Sequence, residues 1–427
     1  MKLFGVKIFN RTTKEFISKT NNNRGIALIT AIAALSLMTY LAMEVTYDTQ
    51  VEYLINAQQI NRVKAYYATR SGIDLSLLRI KIFQTVQQKL GKSLPQNGML
   101  DQIWQFPLIW PLELPEGLNA VDKDIVKDKT KESLLDAAFA TKITDEGSKI
   151  DVTNLASPSE TLREITKKQL LALFENKVKN DEEFSKNYSG YRFDTLVNNI
   201  ADWMSTKNES LNGGDKKSGY KDRGTDAFPP NRNFRTIQEL RLVTGMSDEF
   251  YQILEPQITI YGVKGLNPNS ATSEVLQSID PTITKEIADE VVKRRQDPQL
   301  GPFKDAAGFW EFLEQKGARV SINREEFPIN TDSFSSFRIN SIGEYGGSKR
   351  EIDIITLDVN KVAEHVNEIQ KKVDEKNQPA GLTTSPPAGT PGATPPAAGT
   401  TPAAGTQTAT SQPIPKGPPR IVYWNEK

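Results

Sequence analysis

The chain has 427 residues, with 53 Lys and Arg against 53 Asp and Glu, a single His and no Cys. A neutral chain disfavours nucleic acid as the main partner, because phosphate binding needs a concentrated excess of Lys and Arg. The lack of Cys excludes thiol nucleophiles, disulfides and Cys-based zinc sites. The single histidine, His365, excludes multi-His metal sites and is predicted to be a solvated surface residue. This composition favours a protein that is not an enzyme.

The first structural feature along the chain is an uncharged apolar run at residues 26–43, IALITAIAALSLMTYLAM. As a helix it would be about 27 Å long, close to the ~30 Å thickness of a bilayer hydrocarbon core. Basic residues dominate the preceding segment and Glu44 and Asp48 follow the run, so the positive-inside rule places the N-terminus in the cytoplasm. A cleaved secretory signal is the alternative, but the run is long and no A-x-A site closes it.

The residues directly before the apolar run favour a different kind of leader. Arg24-Gly25 ends a basic segment and is followed at once by apolar residues. That is the arrangement of a prepilin leader, in which cleavage follows the glycine and the apolar helix is kept. The prediction is cleavage between Gly25 and Ile26. Beyond the run, apolar residues continue at helical spacing to about residue 83, which predicts one long helix with a bend or break at Gly72.

Several stretches, taken in order, resemble the type II secretion minor pseudopilin K family. They are Arg24-Gly25 with its apolar run, AYYATRSGIDLSLLRI (65–80), ITDEGSKIDVTNL (143–155), NNIADW (198–203), FRTIQELRLVTGM (234–246) and LNPNSATSEVL (266–276). The resemblance extends over about residues 24–345. It implies an α+β, pilin-like fold, in which a long N-terminal transmembrane helix packs on a small antiparallel sheet. A large all-α insert, of helix-hairpin-helix or SAM-like type, interrupts that fold.

This fold predicts a discontinuous domain organisation. The predicted segments are a prepilin leader (1–25), a transmembrane helix (26–43), its periplasmic extension (44–88), a pilin-like α/β domain (89–155, 331–360 and 420–427), an α-helical insert (156–330), and a polar helix with a disordered Pro, Ala, Gly and Thr-rich linker (361–419). Apolar–polar alternation predicts hairpins at 143–155 and 336–360. The closing IVYW stretch predicts that residues 420–425 return to pair with the second hairpin.

The fifth residue after the predicted cleavage site indicates where this subunit can stand in a pilus-like fibre. In major pilins and pseudopilins this residue is normally Glu, whose carboxylate neutralises the α-amino group of the neighbouring subunit inside the membrane. Here it is Thr30, which cannot form that ion pair, and the K family likewise lacks the glutamate. A subunit without this carboxylate can begin a fibre, where no earlier subunit needs neutralising. Thr30 therefore favours a tip subunit; the alternative is a small residue tolerated in any membrane helix.

The loop at 202–220 is the candidate metal site, because loops rich in Gly, Asn and acids can surround Ca²⁺ with oxygen ligands. The K family binds calcium here through a more acidic DWxDxD-type pattern. The resemblance implies Asp202 and Asp215 as ligands, but Ser205 and Lys207 stand where the pattern favours Asp. Glu209 and Asn212 are the candidate ligands that could compensate in part. A solvated loop anchored by Trp203 is an equal alternative, and no other cofactor is expected.

Residues 267–295 resemble a helix-hairpin-helix unit, a motif that often binds DNA through a glycine-containing turn. Here the turn is Asp280-Pro281-Thr282, which has no glycine, one N–H fewer and an added carboxylate. Packing or protein contact is therefore expected instead of nucleic-acid binding. The basic run 293–295 is predicted to be a favourable charge cluster at a helix C-terminus.

The resemblance implies a structural assembly factor at the tip of a type II secretion pseudopilus, which initiates pseudopilus assembly and supports protein export across the outer membrane. Implied partners are the I-type and J-type minor pseudopilins, the major pseudopilin, the prepilin peptidase and the inner-membrane assembly platform. Secreted substrate and the outer-membrane channel are further candidates. The expected location is the inner membrane, single-pass, with a cytoplasmic N-terminus before cleavage and the bulk in the periplasm, after methylation of Ile26.

Two alternatives remain open from the sequence. A minor type IV pilin of a surface pilus would have the same architecture, and only a secretion assay or neighbouring genes separate it. A membrane-anchored periplasmic protein that binds nucleic acid through its helix-hairpin-helix belongs to another class, and DNA binding at low salt would distinguish it.

Overall fold

A computed structural model describes most of the chain. The described residues are 25–90, 104–111, 132–133, 135–223, 228–297, 299–331, 335–377 and 420–427. The predicted leader up to residue 24 and the predicted linker from residue 378 to residue 419 lie outside the described residues.

Helix α1 (Ile26–Leu90) is 65 residues long, as the continuous helical spacing predicted. Within the described residues it is the one helix long and apolar enough to cross a membrane, and its apolar window is fully exposed. Farther along, one face becomes buried from Ala65 onward, with Ile73, Ile80 and Phe83 in contact with the sheet. The helix therefore has an exposed apolar N-terminal part and a C-terminal part that belongs to a core.

The predicted break at Gly72 does not occur, because the helix continues through it. Gly72 instead permits a close approach to the sheet. A Cβ added there would lie 2.5 Å from Ser341 Oγ and 2.6 Å from Thr141 Cγ2. Across the same contact, Ser341 Oγ donates a hydrogen bond to the carbonyl oxygen of Thr69 at 2.8 Å. The glycine is explained by packing, since no larger residue fits between the helix and the strands.

The strands form one large sheet and one small pair. They are β1 (Leu108–Trp110), β2 (Ala138–Asp145), β3 (Ile150–Asp151), β4 (Ile258–Thr259), β5 (Ser336–Tyr345), β6 (Ser348–Leu357) and β7 (Arg420–Glu426). The large sheet is antiparallel throughout, in the order β1-β2-β5-β6-β7. The hairpin predicted at 336–360 is confirmed as β5 and β6. The predicted return of the C-terminal strand is also confirmed, because β7 pairs with β6.

The hairpin predicted at 143–155 is wrong. Strand β2 pairs with β5, and β3 pairs in parallel with β4, so the two halves of that stretch belong to different sheets. Between them, residues 146–148 form a short 3-10 turn in which the Asp145 carboxylate accepts a hydrogen bond from the Gly147 amide at 2.8 Å. The buried Glu146 is held by Arg338 of β5 at 2.7 Å. These side-chain contacts redirect the chain, which alternation of residue types cannot reveal.

The chain leaves the sheet after β2, builds a helical region, and returns at β5. The helices of this region are α2 (Glu160–Asn180), α3 (Glu182–Tyr188), α4 (Phe193–Met204), α5 (Asp248–Leu254), α6 (Ser273–Gln277), α7 (Lys285–Gln296) and α8 (Ala306–Gln315). Their core is aromatic: Phe174 stacks on Phe193 with ring centres 4.6 Å apart, and Trp203 stacks on Phe234 at 5.5 Å. The described residues thus form an α+β fold with separate sheet and helical cores.

Helix α9 (Val359–Asn377) follows β6 and contacts the helical region. His365 Nδ1 lies 3.3 Å from the carbonyl oxygen of Val263, and Lys372 Nζ donates to the carbonyl oxygen of Glu325 at 2.6 Å. His365 is half-buried, so its prediction as a solvated residue is wrong.

Candidate functional site

The N-terminal end of α1 is one candidate site, because it holds the predicted cleavage and fibre-position residues. The helix begins at Ile26, directly after Gly25, whose carbonyl oxygen accepts a hydrogen bond from the Ile29 amide at 3.3 Å. The Thr30 hydroxyl lies 3.0 Å from the carbonyl oxygens of both Ile26 and Ala27. The Thr30 hydroxyl therefore makes its hydrogen bonds within its own helix. The first turn of α1 contains no acidic side chain.

The middle of α1 carries exposed apolar side chains beyond the membrane-length run. At least half of each of these side chains is exposed: Val45, Tyr47, Tyr53, Leu54, Ile55, Ile60 and Val63. Their helix turns precede Ala65, the first buried residue of α1 in the sheet contact. Large apolar side chains left exposed over several helix turns beyond the membrane-length run are typical of an interaction surface.

A buried ionic group joins the turn after β2 to the sheet. Arg338 Nε contacts Glu146 Oε1 at 2.7 Å, and Arg338 Nη1 contacts Asp353 Oδ2 at 2.7 Å. Lys149 Nζ lies 3.1 Å from the same Glu146 oxygen. Burial opposes ionisation of Glu146, but the Lys149 and Arg338 charges overcome it and lower its pKa. The charge on this carboxylate is thus compensated inside the protein.

The neighbouring Asp145 joins β2 to the segment that precedes α6. Its Oδ2 accepts hydrogen bonds from Asn267 Nδ2 at 2.9 Å and from Ser270 Oγ at 2.6 Å. The Asn267 amide also donates to the carbonyl oxygen of Gly147 at 2.8 Å. Burial raises the pKa of Asp145 to about 6, although these hydrogen bonds oppose the shift. The stretches 143–155 and 266–276 both carry the family resemblance, but their residue patterns did not predict that they contact each other.

The loop after α4 is folded by side-chain contacts. Asp202, in the last turn of α4, accepts hydrogen bonds from Ser210 Oγ at 2.7 Å and from the Leu211 amide at 3.0 Å. Lys216 is almost fully buried, with 5% exposure, and its ammonium donates to the carbonyl oxygens of Ser205 at 2.7 Å and Asp202 at 3.3 Å. Burial lowers the pKa of Lys216, and the Asp202 and Asp215 charges oppose that shift.

Two family models, both described as type II secretion system (T2SS), protein K, match residues 148–263 and 266–328 in consecutive order. The region 148–328 therefore belongs to the type II secretion system protein K family. The matched regions contain the whole helical region, the Asp202 loop and the Asn267 segment.

A search of the curated proteins found no match. Among solved structures, a chain in the crystal structure of the GspK-GspI-GspJ complex from the enterotoxigenic Escherichia coli Type 2 Secretion System is similar. It is 16% identical with a TM-score of 0.49, and the alignment covers 72% of this chain and 95% of that chain.

The residues implied as calcium ligands are brought into one loop but do not fit a calcium site. Asn212 Nδ2 donates to the Thr195 carbonyl oxygen at 3.0 Å and to Asn199 Oδ1 at 2.9 Å, while Asp215 Oδ1 accepts from the Lys217 amide at 3.0 Å. Glu209 and Asp215 meet only through an isolated backbone bridge. Among the residues that the structure describes, no three His, Asp or Glu side chains are grouped so that they could hold a metal ion.

The helix-hairpin-helix-like turn at 280–282 is closed by hydrogen bonds to the Asp280 carboxylate. Asp280 Oδ1 accepts from the Thr282 amide at 2.9 Å, and Asp280 Oδ2 accepts from the Ser321 amide at 2.8 Å. In the adjacent basic run, Arg295 Nη1 donates to the carbonyl oxygen of Ala271 at 2.7 Å, and the Arg294 guanidinium lies 4.2 Å from the Phe303 ring centre. The basic run lies in the last turn of α7, which confirms the predicted charge cluster at a helix C-terminus. Arg294 and Arg295 also take part in the internal packing of the helical region.

Proposed function

We propose that this protein K chain is a non-enzymatic minor pseudopilin at the tip of a type II secretion pseudopilus, where it initiates assembly and supports protein export across the outer membrane. The observation that carries the proposal is Thr30. A side chain whose hydroxyl is satisfied by its own helix offers no charge to the α-amino group of an adjacent subunit. Such a subunit is suited to the first position of a fibre and poorly suited to an internal one, where the unpaired ammonium would cost several kcal/mol in the membrane.

The proposal includes processing and location. Cleavage between Gly25 and Ile26 by the prepilin peptidase, followed by methylation of Ile26, would remove the leader and leave α1 as the anchor. The start of the helix at Ile26 supports this choice of site. The protein would then lie in the inner membrane with everything after about residue 44 in the periplasm, as the charge distribution across the apolar run favours.

Proposed partners follow from the exposed apolar side chains of α1 beyond the membrane-length run. The bilayer can cover the apolar run at 26–43, but Tyr53, Leu54 and Ile60 lie beyond its reach and are more than half exposed. We propose that the long helices of the I-type and J-type minor pseudopilins and of the major pseudopilin cover this part. The inner-membrane assembly platform, secreted substrate and the outer-membrane channel are further proposed contacts.

The processing step is tested by sequencing the N-terminus of the mature protein from its native membrane. We expect N-methyl-isoleucine at position 26. A mature chain that still begins at Met1 would contradict the proposal, and a cut C-terminal to the apolar run would indicate a secretory signal.

The tip role is tested by complementing a deletion strain with variants at Thr30. Thr30→Glu adds a carboxylate that has no ammonium partner in the membrane, and Thr30→Gln is the matched control without charge. We expect loss of secretion in the deletion strain, rescue by the Gln variant, and fewer pseudopili with the Glu variant. Normal secretion together with loss of surface pili in the deletion strain would instead indicate a minor type IV pilin.

A further inference from the structure

The loop that follows α4 contains a buried positive charge in the place where the family resemblance implied a calcium ion. Lys216 lies on the short 3-10 segment Lys216–Arg223, and its side chain returns to the end of α4. Its ammonium contacts the carbonyl oxygens of Ser205 and Asp202 at 2.7 Å and 3.3 Å, and only 5% of the residue is exposed. Lysine is almost never fully buried unless its ammonium is paired. The two carbonyl oxygens are the partners that allow Lys216 to be buried.

The position of the ammonium explains why it is favourable. The last carbonyl groups of a helix have no partner within the helix and carry partial negative charge, so they attract cations. Ser205 is the C-cap residue of α4 and Asp202 lies in its last turn. The Asp202 carboxylate meanwhile accepts hydrogen bonds from Ser210 and Leu211 and thereby holds the start of the loop. One cation therefore joins the helix end to the far side of the loop.

We infer that the Lys216 ammonium is the internal cation of the 202–220 loop, so that this chain orders the loop without a divalent metal ion. Calcium requires six to eight oxygen ligands at 2.3–2.6 Å and commonly takes them from carboxylates and backbone carbonyls. Here the helix-end carbonyl oxygens are occupied by the ammonium. The backbone amide of Lys216 also donates to the carbonyl oxygen of Asn208 at 3.2 Å, which fixes the lysine inside the loop.

The inference is independent of the proposed role at the tip, and it is tested on the full chain in detergent micelles. Hydrogen–deuterium exchange of the amides in 202–220 is measured in about 5 mM calcium, which exceeds the dissociation constants of weak protein calcium sites, and in EDTA. The variants are Lys216→Met, which keeps the length of the side chain but removes its charge, and Lys217→Met, the matched change at the exposed neighbour.

We expect the wild type to exchange at the same rate in calcium and in EDTA. Lys216→Met should exchange about tenfold faster in the loop, because two charge-assisted hydrogen bonds are lost, while Lys217→Met should match the wild type. Strands β5 and β6 serve as the internal control for global unfolding. Faster wild-type exchange in EDTA than in calcium would overturn the inference, and this comparison needs no variant. Unchanged exchange in Lys216→Met would also overturn it.

Discussion

Asp145 at the end of β2 accepts a hydrogen bond from the Asn267 side chain at 2.9 Å, and the two residues are 122 positions apart in the chain. This contact joins the end of β2 to the segment that precedes α6 in the helical region. Glu146 and Arg338 make a second connection at the same place. The sheet and the helical region therefore meet through buried polar groups, whose loss has measurable consequences.

The first prediction concerns Arg338. Replacing it by Met leaves Glu146 buried with only Lys149 as a counter-charge, so the free energy of unfolding should fall by about 2–3 kcal/mol. Arg350→Met, an exposed change on the adjacent strand, is the control and should alter it by less than about 0.5 kcal/mol. Denaturant unfolding measures both. Equal effects of the two variants would show that the ionic group does not stabilise the fold.

The second prediction concerns pH and Asp145. Its pKa in the folded protein is about 6, above the ordinary value of 3.8, so the folded state binds this proton more tightly than the unfolded state. The contribution of Asp145 to stability should therefore rise as the pH falls from 7 to 5, by about 1 kcal/mol. The Asp145→Asn variant has no carboxyl group to titrate at this position. Glu146, whose pKa is lowered and whose effect on stability has the opposite sign, is present in the wild type and in the variant, so its effect cancels in the comparison. The measured quantity is the difference in unfolding free energy between pH 5 and pH 7, and equal differences in both proteins would contradict the assignment.

A third prediction tests the close packing at Gly72. An added methyl group would meet Ser341 and Thr141 at distances that packed atoms do not tolerate. Gly72→Ala should therefore lower stability by about 1–2 kcal/mol, despite the better helix propensity of Ala. Asp74→Ala, an exposed change two residues along the same helix, reports on propensity alone. If Gly72→Ala raised the melting temperature, the helix and sheet would not be in tight contact there.

The fourth prediction concerns the C-terminal strand. Deletion of residues 420–427 removes the ladder between β7 and β6, together with the contact between the Tyr423 and Tyr261 rings, whose centres are 6.2 Å apart. Thermal unfolding should begin several degrees lower, because ~1–2 kcal/mol corresponds to a few degrees in a chain of this size. Val422→Thr changes one exposed side chain and keeps the backbone pairing, so its melting temperature should stay close to that of the wild type. An unchanged melting temperature after the deletion would contradict a structural role for β7.

Elements with a strong local pattern were predicted from sequence. The apolar run and its continuing helical spacing predicted α1, alternation predicted β5 and β6, and the IVYW stretch predicted β7. Each of these patterns lies within a few neighbouring residues. Thr30 was also identified from its distance to Gly25 alone, although its place in a fibre remains a proposal.

The features that were wrong or missing depend on partners distant in sequence. A glycine in a helical pattern suggested a break, but the strands packed against Gly72 explain why the helix needs a glycine there. A turn at Glu146 suggested a hairpin, but Arg338, 192 positions away, directs the chain elsewhere. The calcium prediction for the 202–220 loop stays a prediction; what its acidic pattern did not indicate is that the fold brings the Lys216 ammonium to the end of α4.

The sequence alone therefore determined the membrane-length helix, the leader pattern, the strand pairs that return to one sheet, and the family resemblance. Those properties depend on hydrophobic periodicity and on short motifs, which act locally. Only the tertiary structure decided which buried charges neutralise one another and which cation holds the 202–220 loop. The physical reason is that a buried charge is stabilised by whatever group lies within a few ångströms of it, and the fold determines which group that is.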